Sequence, residues 1–124
     1  MKRMIYLAVL VAIVLGVGGF LGFSFSRASN LPPVKVDVIA KDMSFNQNNP
    51  PIIIKQGQTV HLTVKNEEQL GVYHDFAISA LDVKTKLLEP GETETLSFTV
   101  NRIGTFTYTC PFHPKMMVGK VIVK

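Results

Sequence analysis

From Val34 onward, apolar residues recur at every second position in short runs, and turn-forming clusters break those runs at regular intervals. Val34, Val36 and Val38 alternate with Lys35 and Asp37. Val60, Leu62 and Val64 alternate with His61, Thr63 and Lys65, which places His61 on a polar, solvent-facing side. Leu96, Phe98 and Val100 mark one face of a third run that begins at Thr93. Successive side chains of a strand point to opposite faces, so a period of two signals a strand with one face buried. Short apolar or alternating segments at 52–54, 74–78, 106–108 and 119–123 add further strands, whereas 82–89 reads as irregular. Residues 46–51, Gln56-Gly57-Gln58, 66–71, Glu89-Pro90-Gly91-Glu92 and 101–104 carry the turn chemistry between them. No segment beyond the N-terminal run has helical apolar periodicity. The expectation is an all-β domain of seven or eight short strands, an antiparallel sandwich or barrel.

With 124 residues there is room for one domain and little else. From Met4 to Phe25 no residue is charged, and Lys2 and Arg3 precede the run. About 20 apolar helical residues cross a bilayer core. The flanking charges predict that the N-terminus stays in the cytoplasm and the rest lies on the extracytoplasmic side, in the periplasm or on the outer face of the cell membrane. A transmembrane helix is therefore expected, with residues 1–28 a membrane anchor or a signal peptide. A signal peptide has a shorter apolar core, and Ser26-Arg27-Ala28 only weakly resembles a cleavage site. Residues 29–33 read as a linker and 34–124 as the folded domain. Of the 13 basic residues, Lys2, Arg3 and Arg27 precede that domain, which leaves ten basic against nine acidic residues. A balance near +1 offers no basic face for nucleic acid.

The chain has a single cysteine, Cys110, so no internal disulfide can form. An unpaired thiol in an exported domain needs a reason, and metal ligation is one. Within Cys110-Pro111-Phe112-His113-Pro114-Lys115-Met116-Met117 a thiol, an imidazole and two thioethers share one short loop between two expected strands. Two His and one Cys in a plane, with a distant axial Met, form the ligand set of a mononuclear blue-copper site. His74, far away in sequence, is available as the second imidazole. Taken singly, a lone Cys is usually a small buried hydrophobe and paired Met residues are usually core. Their coincidence at Cys-x2-His-x3-Met is what favours a metal. Pro111 and Pro114 restrict φ and reduce the entropy the loop loses when a metal orders it.

The segment from Cys110 to Lys120 resembles the copper loop of the cupredoxins, the plastocyanin, amicyanin and azurin family. Cys-x2-His followed by proline is similar to amicyanin, and Met117-Val118-Gly119-Lys120 is similar to plastocyanin. Weaker similarity runs through Lys55-Gln56-Gly57-Gln58, His74-Asp75-Phe76, Pro90-Gly91-Glu92 and Gly104-Thr105-Phe106. The resemblance implies a Greek-key β-sandwich over 34–124 that binds one copper per chain, cycling between Cu(I) and Cu(II). It implies His74, Cys110 and His113 as ligands. For the axial ligand, a Met with Gly two positions on selects Met117, and counting from His113 as in amicyanin selects Met116. Many family members carry Asn after the first His; here it is Asp75. That carboxylate is expected either to accept from the Thr109 hydroxyl or loop amides, pinning the two ligand segments together, or to be solvated. The Phe112 N–H is a candidate donor to the thiolate, a role Pro111 cannot take.

The function this implies is a membrane-tethered, extracytoplasmic carrier of single electrons, not an enzyme. Three histidines cannot supply both a mononuclear site and a trinuclear cluster. A dinuclear copper centre of the oxidase subunit II kind needs two cysteines. His113 is implied as the partly exposed ligand through which electrons pass. Pro111, Phe112, Pro114 and Met116 around it would form an apolar patch for transient docking of membrane or extracytoplasmic redox proteins. A copper chaperone or sensor is the alternative, although Met43 and Met116 are few thioethers for that task.

Overall fold

The computed structural model describes residues 30–124. The expected membrane helix or signal peptide at 1–28 lies outside the described residues. Among the described residues no helix is long and apolar enough to cross a membrane. They form nine strands and one 3₁₀ turn, Ser79–Leu81. The strands are β1 Val34–Lys41, β2 Ser44–Phe45, β3 Ile52–Ile54, β4 Gln58–Asn66, β5 Ala77–Ile78, β6 Val83–Lys84, β7 Thr93–Val100, β8 Gly104–Thr109 and β9 Val118–Val123. One sheet has the order β2-β1-β4-β7 and the other β3-β9-β8-β5-β6.

The count exceeds the expected seven or eight. The additional pieces are β2 and β6, two residues each, too short to show a period. β6 falls in the stretch read as irregular and pairs Val83 with Ile78. The expected antiparallel arrangement also needs correction. β1 runs parallel to β4, and β3 runs parallel to β9. After β2 the chain leaves the first sheet, lays β3 along the edge of the second, and returns as β4 in the direction of β1.

The alternation read from the sequence sets the inward faces. In β4, Val60, Leu62 and Val64 are buried, and they face Phe98, Leu96 and Glu94 of β7 in register. On the outer face Thr59 meets Thr99 and Thr63 meets Thr95, with hydroxyl oxygens 3.1 and 3.2 Å apart. His61 stays on that outer side, opposite Ser97 and Lys35. Val38, Ala40, Val60, Leu62, Val64 and Val100 of the first sheet share one core with Ile54, Ile78, Phe106, Tyr108, Val121 and Val123 of the second. At one end of this core Phe45, Phe76 and Tyr108 meet with ring centroids 5.3–5.7 Å apart. Such aromatic pairs contribute about 0.5–1.5 kcal/mol each beyond area burial.

The aromatic end of the sandwich positions the site. β8 and β9 are antiparallel neighbours, and Thr109 faces Val118 where the loop 110–117 leaves them. A single pairing, Ala77 with Thr109, carries the preceding residues His74, Asp75 and Phe76 past the end of β8, beside that loop.

Candidate metal centre

Cys110 follows the last residue of β8, and Met117 precedes the first of β9. The loop is closed by the Cys110 N–H donating to the Met117 carbonyl at 3.0 Å. A turn inside it is held by His113 N–H to the Cys110 carbonyl, 2.9 Å. The opposing segment is fixed by a two-way backbone bridge in which His74 and Leu88 exchange N–H···O bonds of 3.2 and 2.7 Å. Phe76 is anchored next to it, its N–H donating to the Thr85 hydroxyl at 2.9 Å.

These constraints bring His74, Cys110 and His113 together, with one donor atom of each within 4.8 Å of the others. Cys110 Sγ lies 3.9 Å from His74 Nδ1 and 3.7 Å from His113 Nδ1. Metal bonds of about 2.0 Å to nitrogen and about 2.3 Å to sulfur, about 120° apart, separate those atoms by about 3.7 Å. The spacing and the soft donor chemistry therefore fit one copper per chain. His74 and Cys110 are fully buried, and His113 is half-buried with its ring edge against Phe112, 4.9 Å between centroids. The adjacent methionines part company: Met117 is 0% exposed and belongs to the core, whereas Met116 is 60% exposed. His61 is not among the grouped donors.

Asp75 is buried rather than solvated. Its Oδ1 accepts the Phe112 N–H at 3.0 Å and lies 3.3 Å from Cys110 Sγ, whose thiol donates to it. The carboxylate thus ties the His74 segment to the Cys110 loop through a loop amide. The expected Phe112 N–H contact to sulfur is replaced by this one, because a buried carboxylate is the stronger acceptor.

Burial pushes the Cys110 thiol up, and the adjoining Asp75 carboxylate adds to this. Without metal the sulfur therefore holds its proton, and metal binding must displace it. Burial and the neighbouring His74 ring draw His113 down, which keeps its imidazole neutral and able to ligate.

Glu68 was not singled out by sequence reasoning, which saw only a polar loop at 66–71. Its Oε1 lies 3.0 Å from His74 Nε2, the ring nitrogen turned away from Cys110. Burial pushes the Glu68 carboxyl up, but His74 and the Met43 N–H outweigh it and leave the group below its ordinary value. The loop is set by Asn66, whose Oδ1 accepts the Glu68 N–H at 2.9 Å. Its Nδ2 donates to the carbonyls of Val72 and Leu88, both at 2.9 Å. An Asn that bonds the N–H two residues on is a recognisable turn former. That was the available signal, an Asx turn placing an acid six residues before the histidine.

No curated protein matches this chain in sequence. In structure it resembles a dithionite-reduced auracyanin from Roseiflexus castenholzii, with TM-score 0.63 and 20% identity over 75% of this chain and 99% of that one. Auracyanin A of Chloroflexus aurantiacus, described as a blue copper protein, gives TM-score 0.61 and 21% identity over 75% and 100%. A copper nitrite reductase from Nitrosomonas europaea gives TM-score 0.67 and 24% identity, over 75% of this chain but 42% of the enzyme. At these identities the likeness establishes the fold. The sequence evidence is independent of it: residues 11–123 match the cupredoxin-like domain family. With the sandwich, the two-histidine, one-cysteine cluster and this match together, the chain belongs to the cupredoxin-like domain family.

Proposed function

We propose that this chain is a one-electron carrier built on a type 1 copper site, with His74, Cys110 and His113 as equatorial ligands and Met117 as the axial one. Bound copper supplies the reversible one-electron couple. The observation that carries the reading is the triangle of two Nδ1 atoms and one Sγ, held by backbone bonds on two separate segments. The burial of Met117 and the exposure of Met116 favour Met117 beneath that triangle.

A carrier must change oxidation state with little rearrangement. The His74–Leu88 bridge, the Asp75–Phe112 bond and the Cys110–Met117 closure all resist movement of the ligand segments. His113 is the least buried of the three grouped side chains, which makes its ring the natural exit for an electron. Phe112, 55% exposed, and Met116 flank it with the exposed Pro111 and Pro114. That apolar patch suits brief docking of membrane or extracytoplasmic redox proteins. The uncharged run from Met4 to Phe25 favours a membrane tether, which would raise the local concentration of the carrier near membrane partners. The auracyanins, matched over nearly their full length, support a carrier more directly than the nitrite reductase, of which this fold spans less than half.

The test is to cycle the copper-loaded full chain between oxidation states in the presence of a Cu(I) chelator. A carrier bleaches on reduction, regains its colour on oxidation and keeps its copper through repeated cycles. Loss of copper to the chelator at the first reduction would replace electron transfer with copper handling.

A further inference from the structure

We propose that Glu68 is a positioning residue of the metal centre. It holds His74 as the Nε2–H tautomer and weights the site towards Cu(II) over Cu(I). The second half rests on the copper reading above; the first half does not.

His74 is fully buried, so water does not set its ring. Nδ1 points to Cys110 Sγ, and Nε2 sits 3.0 Å from Glu68 Oε1. A carboxylate only accepts, so Nε2 carries a proton, and in the neutral ring Nδ1 then presents its lone pair to the cluster. The partner of one imidazole nitrogen decides what the other can do. This arrangement is built rather than incidental. The Met43 N–H also points at Glu68 Oε1, 3.4 Å away. Met43 and Asp42 both adopt positive φ, 57° and 50°, in the tight β1–β2 turn that presents this N–H. Positive φ is uncommon for such side chains. Asn66 fastens the acid and the histidine to one frame, through the Glu68 N–H on one side and the Leu88 carbonyl behind His74 on the other.

Charge supplies the rest. Glu68 Oε1 meets the His74 ring 3.0 Å from Nε2, and the Glu68 side chain is 13% exposed, so its negative charge is weakly screened. A carboxylate bonded to the far nitrogen makes the imidazole a more basic ligand and favours the more positive metal. Asp75 lies against Cys110 in the same sense, so two of the three grouped residues each have a carboxylate neighbour.

The experiment compares the full-length chain with Glu68→Gln and Glu68→Leu. Ring ¹H–¹⁵N spectra of the metal-free and Zn(II) forms report the tautomer of His74. The expected result is a slowly exchanging Nε2 proton in the wild type. Glu68→Gln keeps it, because the amide oxygen still accepts, and Glu68→Leu loses the slow exchange. Copper titrations in both oxidation states report the second half. Glu68→Gln should lower the ratio of Cu(II) to Cu(I) affinity about tenfold, the scale of such outer partners, which raises the one-electron potential by about 59 mV. A His74 proton on Nδ1 in the wild type would overturn the positioning role. A ratio unchanged in Glu68→Gln would overturn the charge role. A wild type that takes up no copper would instead bring down the copper reading and the charge role with it, while the ring spectra still decide the tautomer.

Discussion

At the scale of single residues, adjacent positions have been given opposite tasks. Met117 is sealed in the core and Met116 stands in solvent, although they are chemically identical. Met117→Leu should therefore shift the visible spectrum of the copper form and raise its reduction potential. Met116→Leu should leave both where they were. Tyr108 shows how burial becomes a pH dependence. Its hydroxyl donates to the Pro50 carbonyl at 2.7 Å, and burial pushes its pKa up to about 12. The unfolded chain loses that proton near about pH 10, so the folded state binds it more tightly. The stabilisation is fully present below about pH 10 and is lost as pH rises through about 12. Denaturant midpoints measured across that window should fall in the wild type and fall less in Tyr108→Phe. The variant should be weaker at neutral pH by about 1 kcal/mol for the missing hydrogen bond.

At the scale of elements, the β8–β9 pair explains why a glycine stands two residues after the buried methionine. Tyr108 faces Gly119 across the ladder, and a Cβ at Gly119 would overlap the Tyr108 ring. Gly119→Ala should force the ring aside, break its bond to Pro50 and destabilise the fold by about 1–3 kcal/mol, read as a lower denaturation midpoint. The loop above is a second test. Pro114→Ala should lower metal affinity and slow electron self-exchange, since freeing φ restores entropy that metal binding must then remove. The long strands were legible because alternation over eight or nine residues cannot be mistaken, as in β4 and β7. The two-residue strands β2 and β6 have no period to read. The parallel pairings β1–β4 and β3–β9 were not legible either, because strand direction depends on where the chain crosses between sheets and leaves no local mark. Cys110, His113 and Met117 stand out because three soft donors in one short loop are rare. Glu68 did not stand out, since its role exists only once the 66–71 loop and the His74 segment meet.

At the scale of the whole molecule, one core shared by two sheets carries a cluster at its aromatic end that is tied in from three directions. These are the loop closure at Cys110 and Met117, the His74–Leu88 bridge, and the carboxylates of the buried Asp75 and the partly buried Glu68. Among the described residues no buried side-chain nitrogen or oxygen lacks a partner, so the ligand segments are held by the protein's own hydrogen bonds. Such pre-organisation is what a low-rearrangement redox centre requires and what a site that releases its metal does not. The most direct measurement is the visible absorption and electron paramagnetic resonance spectrum of the full chain loaded with one equivalent of Cu(II). An intense band in the red with a narrow copper hyperfine splitting is the predicted result, the mark of a thiolate in a trigonal field. A colourless product with a wide splitting would contradict it, since the copper would then lie outside the His74, Cys110 and His113 triangle.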